Sequence, residues 1–200
     1  MNAELTFYYG SMGCGKTREL LKVSHSKKED GFGVAIMKPE VDKKGGKYLV
    51  SRDESEQKVD FLIKSKDNIY LEISKYLVNH NLNFVLVDEA QFLEPHHIDE
   101  LSDVVDILGI SVICYGLRSD FKTMAFPGSL RLFEVSDVME ELITICRCGK
   151  RAKFNGRIVN GEFTSNGEQV AIDGENHVEY ESLCGKCYLE KVLGITSLDE

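Results

Sequence analysis

Apolar residues come along this chain in short runs, separated by stretches with helical spacing. Leu5 to Tyr9 is a compact apolar run that reads as a strand and ends in glycines. The segment 17-TRELLKVSHSKK-28 then places Leu20, Leu21 and Val23 at helix spacing before turning basic, as helix C-termini favour. The run 33-GVAIMKP-39 predicts a second strand stopped by proline, and 43-KKGGKYLVSRDE-54 a glycine turn, a short strand and a charged loop. Ile69, Ile73, Tyr76, Leu77 and His80 fall on one helical face. Next, 84-FVLVDEAQF-92 is an apolar run ending in acids, and 111-SVICYGL-117 is a further buried strand. Between them, 95-PHHIDELSDVVDILG-109 has proline at a helix start, Ile98, Leu101, Val105 and Leu108 at helical spacing, and glycine at the end. Near-continuous apolar strands alternating with helices predict an α/β fold with a mostly parallel sheet covered on both faces. After about residue 145 this style stops. Gly, Asn and charged residues take over, with short alternating pieces such as 157-RIVNGEF-163. The reading is an α/β domain over residues 1–144 and a small appendage over 145–200, with no internal repeat.

Composition narrows the class. Two hundred residues, 42% of them hydrophobic, suffice for the core of one domain with a smaller appendage. A formal net charge of −9 argues against a surface built to neutralise a nucleic-acid backbone and points to a small ligand. A charged-then-apolar leader and an apolar run of membrane-spanning length are both missing, so the expectation is a soluble, cytoplasmic protein with no membrane partner. Six cysteines could mean disulfides. Four of them, however, lie near the C-terminus in two close pairs, which suits a metal in a reducing compartment better.

The chemistry-bearing motifs sit at the ends of the predicted strands. Gly10, Ser11, Met12, Gly13, Cys14, Gly15, Lys16 and Thr17 satisfy G-x-x-x-x-G-K-[ST] between a strand and a helix, the context a P-loop requires. Glycines let backbone N–H groups converge on phosphate oxygens, Lys16 supplies positive charge at the β- and γ-phosphates, and the Thr17 hydroxyl can ligate Mg²⁺. The alternative is a glycine-rich turn with no ligand. Cys14 has no evident base and reads as a packing residue. Asp88, ending the next buried strand, is a Walker B acid placed for the Mg²⁺ hydration shell. Glu89 follows at the crevice where open α/β sheets bind ligands, and can take a proton from a hydroxyl or water; otherwise it is a solvated acid or a second acid near the metal. Cys146, Cys148, Cys184 and Cys187 suit a closed tetrahedral Zn²⁺ site pinning both ends of the excursion between them, with free buried thiols as the alternative. The Cys-x-Cys half is tighter than usual, and His177 is a replacement ligand to weigh.

Taken together, these residues resemble the type II thymidine kinases, the cytosolic zinc-containing deoxynucleoside kinases, over almost the whole chain. The loop from Gly10 to Thr17 is similar to the family's G-x-M-x-x-G-K-[ST], 88-DEAQF-92 to its D-E-[AG]-Q-F box, and 116-GLRSDF-121 to the segment after its next strand. The cysteine pairs around 168-EQVAIDG-174 and 180-YESLC-184 resemble its zinc-tethered lasso. The resemblance implies a RecA-like P-loop NTPase fold with a C-terminal lasso domain. It also implies transfer of the ATP γ-phosphate to the 5′-hydroxyl of thymidine and of deoxyuridine. By the same resemblance Glu89 is the catalytic base, and Arg52 steadies the charge shifting between donor and acceptor. Met12, Phe92, Leu117 and Phe121 line the base pocket, Val170 and Ile172 present main-chain groups to the base edge, and Tyr180 places a ring near the nucleoside. The resemblance further implies Mg²⁺ with ATP, structural Zn²⁺, feedback inhibition by dTTP, and a homotetramer.

Two other classes compete. A P-loop switch that hydrolyses nucleotide slowly and holds a partner through its zinc region would, as a GTPase, carry Asn-Lys-x-Asp, which the sequence lacks. A nucleic-acid-processing ATPase gripping DNA through a zinc ribbon is opposed by the net acidity and by the missing aromatic-plus-basic stripe.

Overall fold

The computed structural model describes residues 2–50, 56–169 and 177–195. The chain divides into two compact units. One comprises Met1–Tyr9, Gly15–Gly116 and Pro127–Glu141; the other comprises Gly10–Cys14, Leu117–Phe126 and Leu142–Glu200.

The first unit follows the predicted alternation. Strand β1 (Leu5–Gly10) leads to helix α1 (Lys16–Glu29) and strand β2 (Val34–Pro39). Short strands β3 (Tyr48–Val50), β4 (Glu56–Lys58) and β5 (Phe61–Ile63) precede helix α2 (Ile69–Leu77). Strand β6 (Phe84–Val87), a 3-10 turn (Ala90–Phe92), helix α3 (Pro95–Leu108) and strand β7 (Ser111–Leu117) come next, then helix α4 (Pro127–Val135) and strand β8 (Val138–Leu142). Six strands make one sheet in the order β5-β2-β6-β7-β1-β8. The pairs β2/β5, β2/β6 and β6/β7 are parallel. Between β1 and β7, the Val112 N–H donates to Glu4 O and the Arg118 N–H to Gly10 O, so both chains advance together and this pair is parallel too. The strand interiors are therefore apolar, as the near-continuous runs predicted: Ala35, Ile36, Met37, Val85, Leu86 and Val87 are all fully buried.

Local chemistry sets the helix ends. Asn68 caps α2 by accepting from the Leu71 N–H at 2.8 Å. The helix stops at Leu77, short of the predicted face that runs to His80; the His80 ring stacks on Tyr76 at 4.0 Å instead. At the start of α3, Pro95 stands in the first turn and the Glu94 N–H donates to His97 Nδ1 at 3.2 Å. His97 Nε2 meets Asp67 O at 3.1 Å, and burial lowers the ring's pKa, so His97 serves as a neutral structural linker. Glu100 reaches back from α3 to the Ile69 N–H (2.6 Å) and to Asn68 Nδ2 (2.8 Å), tying the start of α2 to α3. Gly109, at φ 67°, ends α3 in the left-handed conformation.

The second unit carries a three-stranded antiparallel sheet in the order β10-β9-β11, from β9 (Phe154–Val159), β10 (Glu162–Thr164) and β11 (Val178–Leu183). Helix α5 (Gly185–Leu193) follows, with the Tyr188 ring 5.2 Å from that of Phe154. Among the described residues, no helix is long and apolar enough to cross a membrane.

Candidate active site

In the first unit the acidic end of β6 meets the start of α1. Gly15, at φ 87°, adopts the left-handed turn that lets the glycine loop run straight into α1, a conformation costly for any residue with a Cβ. Lys16 and Thr17 thus occupy the first turn, where helix N–H groups are unspent. Thr17 Oγ1 donates to Asp88 Oδ2 at 3.0 Å, while Asp88 Oδ1 is buried without a hydrogen-bond partner. Burial, reinforced by the neighbouring charge of Glu89, pushes Asp88 up from 3.8 to about 7, against the pull of Thr17 and Lys16. A buried acid with one oxygen unspent, beside a hydroxyl and an ammonium, fits a hydrated divalent cation next to phosphate.

Glu89 has φ 50° and ψ 38°, left-handed backbone at a residue that is not glycine. Its carboxylate accepts from Gln91 Nε2 at 2.5 Å. Gln91 is itself buried and packs close to Gly116, whose Cβ, if it had one, would lie 3.1 Å from Gln91 Oε1. Left-handed backbone, with a buried amide holding the carboxylate, fixes the direction of this acid just past the end of β6. Sequence reasoning does not single out Gln91 as a site residue in its own right. Its signal is nonetheless present in the D-E-A-Q-F run, where an amide two residues after an acid is within reach to orient it. Phe92 closes the same 3-10 turn and is partly buried.

The second unit holds the other predicted residues. Met12 is partly buried, and Leu117 and Phe121 are buried at 8% and 1% exposure. Asp120 shapes the loop after β7: its Oδ1 accepts from the Lys122 and Met124 N–H groups, both at 2.8 Å. Tyr188 Oη donates to Phe121 O at 2.6 Å, and the Arg157 guanidinium lies 4.9 Å from the Phe121 ring centre. Tyr180, in β11, is partly buried. Cys14 packs its sulfur where a Cβ on Gly10 would stand, at 2.6 Å, which agrees with a packing role and explains the glycine. Arg52, Val170 and Ile172 lie outside the described residues.

Cys146, Cys148, Cys184 and Cys187 converge, with their sulfurs all within 4.8 Å of one another and none in a disulfide. The tight Cys-x-Cys half works because Cys146 and Gly149 make a turn, the Gly149 N–H donating to Cys146 O at 2.8 Å. Cys184 caps α5, so Cys187 sits one turn along the same helix. Although burial raises the Cys146 thiol, hydrogen bonds from the Cys148 and Cys184 backbone, together with those of the Cys148 and Cys187 thiols, bring it down to about 7. These four residues could hold a metal ion. His177 is exposed and lies 3.4 Å from Glu179, outside the cluster.

Comparison with known proteins matches the thymidine kinase family over residues 3–188. The chain belongs to that family. It is 40% identical over 190 residues to a thymidine kinase of Haemophilus influenzae, covering 94% of this chain and 97% of the relative. The thymidine kinase of Pasteurella multocida is 39% identical, covering 95% and 98%, and that of Francisella tularensis 32%, with the same coverage. Among solved structures, an ATPase domain superposes with a TM-score of 0.51 at 12% identity, covering 90% of this chain and 81% of that domain; it supports the P-loop fold alone. The thymidine kinase family match takes in both units, so the cysteine cluster belongs to the same family unit of sequence as the glycine loop.

Proposed function

We propose that the protein transfers the γ-phosphate of ATP to the 5′-hydroxyl of thymidine, and of deoxyuridine, giving dTMP and ADP in nucleotide salvage. The observation that carries this reading is the family match across residues 3–188, laid over a loop whose Thr17 hydroxyl lies 3.0 Å from Asp88. Gly10 to Thr17 cradle the triphosphate, and Lys16 offsets charge on its outer phosphates. Thr17 and Asp88 would hold Mg²⁺, which would supply positive charge beside the phosphates. Glu89, oriented by Gln91, takes the proton of the 5′-hydroxyl; that oxygen bonds to the γ-phosphorus as the bond to the β,γ-bridging oxygen breaks and ADP leaves. Arg52 takes the charge-steadying role.

Met12, Phe92, Leu117, Phe121 and Tyr180 are the candidates for the faces of the base, with Val170 and Ile172 for its edge. Zn²⁺ suits the four thiols: tetrahedral Zn–S bonds of ~2.3 Å set sulfurs ~3.8 Å apart, and Cys148 and Cys184 already stand at 3.5 Å. Residues 1–144 then form the nucleotide domain and 145–200 the zinc-tethered lasso domain. A cytoplasmic homotetramer inhibited by dTTP, without nucleic acid or membrane partners, completes the proposal.

The test is whether ATP turnover depends on nucleoside. Thymidine should stimulate it strongly, deoxyuridine less or comparably, and deoxyadenosine or deoxyguanosine hardly at all. Deoxycytidine should be rejected, because groups matched to thymine N3–H and O4 stay unpaired against cytosine. Turnover that ignores nucleosides, or that answers to DNA, overturns the reading.

A further inference from the structure

Glycine loops that bind phosphate must hold their N–H groups in place without the help of a helix or sheet, so something else has to fix them. In this protein the midpoint of the loop, Met12, is held at both of its backbone polar groups. Its N–H donates to Asn155 Oδ1 at 2.7 Å, and its carbonyl accepts from Ser182 Oγ. Asn155 lies in β9 and Ser182 in β11, and the two face each other directly across the antiparallel pair. Asn155 is 2% exposed and spends its other end as well, donating from Nδ2 to Ser119 O at 2.8 Å in the loop after β7. A single cross-strand pair of the C-terminal sheet therefore holds the residue four positions before Lys16, and one of its members also holds Ser119 in the loop after β7.

We propose that Asn155 and Ser182 are positioning residues for nucleotide binding: the β9/β11 pair clamps the phosphate loop at Met12 and sets the direction of the loop's other N–H groups toward the triphosphate. This rests on the reading of Gly10 to Thr17 as the phosphate cradle. Neither side chain is required by the strands that carry them. A β-branched apolar residue would serve β11 better by propensity alone, whereas the polar pair satisfies two groups that would otherwise be unpaired. Removing either partner frees one side of Met12 and lets the loop sample conformations that do not bind phosphate, which lowers affinity by the fraction of time lost.

The decisive pair of variants is Ser182→Thr and Ser182→Val, equal in shape and different only in the hydroxyl. ATP affinity, measured by calorimetry on the full chain with Mg²⁺ and no nucleoside, should be near wild type for the threonine variant. It should fall about tenfold for the valine variant, the loss expected for one hydrogen bond. Amide exchange at Met12 should be slow in wild type and in Ser182→Thr, and faster in Ser182→Val. Asn155→Ala should weaken ATP at least as much, and its loss should combine less than additively with that of Ser182→Val, since both act on one residue. Equal ATP affinity in the threonine and valine variants, or unchanged Met12 exchange, would overturn the clamp and leave only packing. A wild-type chain that binds no ATP would overturn the nucleotide reading itself, and is told apart because Met12 exchange would still respond to the hydroxyl.

Discussion

One core cluster of the α/β unit joins twenty buried side chains, drawn from β1, β2, β5, β6 and β7, from α2, α3 and α4, and from the 3-10 turn and loops between them. Among the described residues of the C-terminal unit, the cluster around β9 and α5 joins five, and two of those are Cys146 and Cys184. The first region can offset its ordering entropy by burial; the cluster around β9 and α5 is small among the described residues, so a metal on its thiols would add stability where burial is thinner. The difference assigns different vulnerabilities. Changes to the polar residues of the α/β unit should act on chemistry while its fold persists, whereas loss of a metal, if the thiols hold one, should undo the C-terminal unit while the sheet persists.

The largest effect expected is therefore that of metal removal. If the four thiolates hold zinc, a chelator should release about one Zn per chain and expose the amides of β9, β11 and α5 to exchange, with β6 and β7 still protected. Cys187→Ser should do the same in part, weakening nucleoside binding before the sheet melts. Uniform exchange in both regions would erase the distinction.

Next in size is Glu89→Gln, which should lower kcat by about 10² to 10⁴ with melting temperature and ATP affinity nearly unchanged, as loss of a general base does. Near-normal turnover would remove Glu89 from the chemistry.

Asp88→Asn should separate stability from function. The folded pKa of Asp88, about 7, stands above the ordinary 3.8. Its contribution to stability is thus fully present below about pH 4 and lost as pH rises through 7. The asparagine variant escapes that loss. Without nucleotide it should be the more stable form at pH 8, by at most about 4 kcal/mol at about 1.4 per unit, with the gap closing toward pH 4. Melting curves at the two pH values read this directly, and Mg·ATP affinity should fall in the same variant.

Smallest is Gln91→Leu, which frees the Glu89 carboxylate and should lower kcat about tenfold with less change in the KM for ATP. A change confined to KM would make Gln91 a binding residue.

Much of this is legible in the sequence because it is written locally. The strand, glycine loop and helix from Leu5 to Glu29, the acids closing β6, and α3 between Pro95 and Gly109 all carry period, cap and turn signals within a few residues. The stretch from α4 to β8 escapes such reading. Helix α4 opens on Pro127 and Gly128, and Gly128 is needed because a Cβ there would meet Leu93 O at 2.5 Å, a contact distant in sequence. Strand β8 is a half-exposed edge whose VMEEL pattern carries little apolar signal. Sheet order and the pairing of Asn155 with Ser182 depend on register between segments far apart, and an asparagine inside a short run reads as a turn until its partners are known. His80 misleads for the opposite reason: it fits the helical period, yet its ring folds back on Tyr76 after the helix has ended.

The left-handed backbone at Glu89 sets strain against a side-chain contact. A residue with a Cβ at φ 50° stores roughly 1 kcal/mol that glycine or asparagine would release. Glu89→Gly would release that strain but also break the hydrogen bond from the buried Gln91 amide, so the two effects on stability oppose each other. The position thus sets shape against use: a substitution that relaxes the backbone also removes the acid, and the melting temperature and turnover of Glu89→Gly would read the two effects separately.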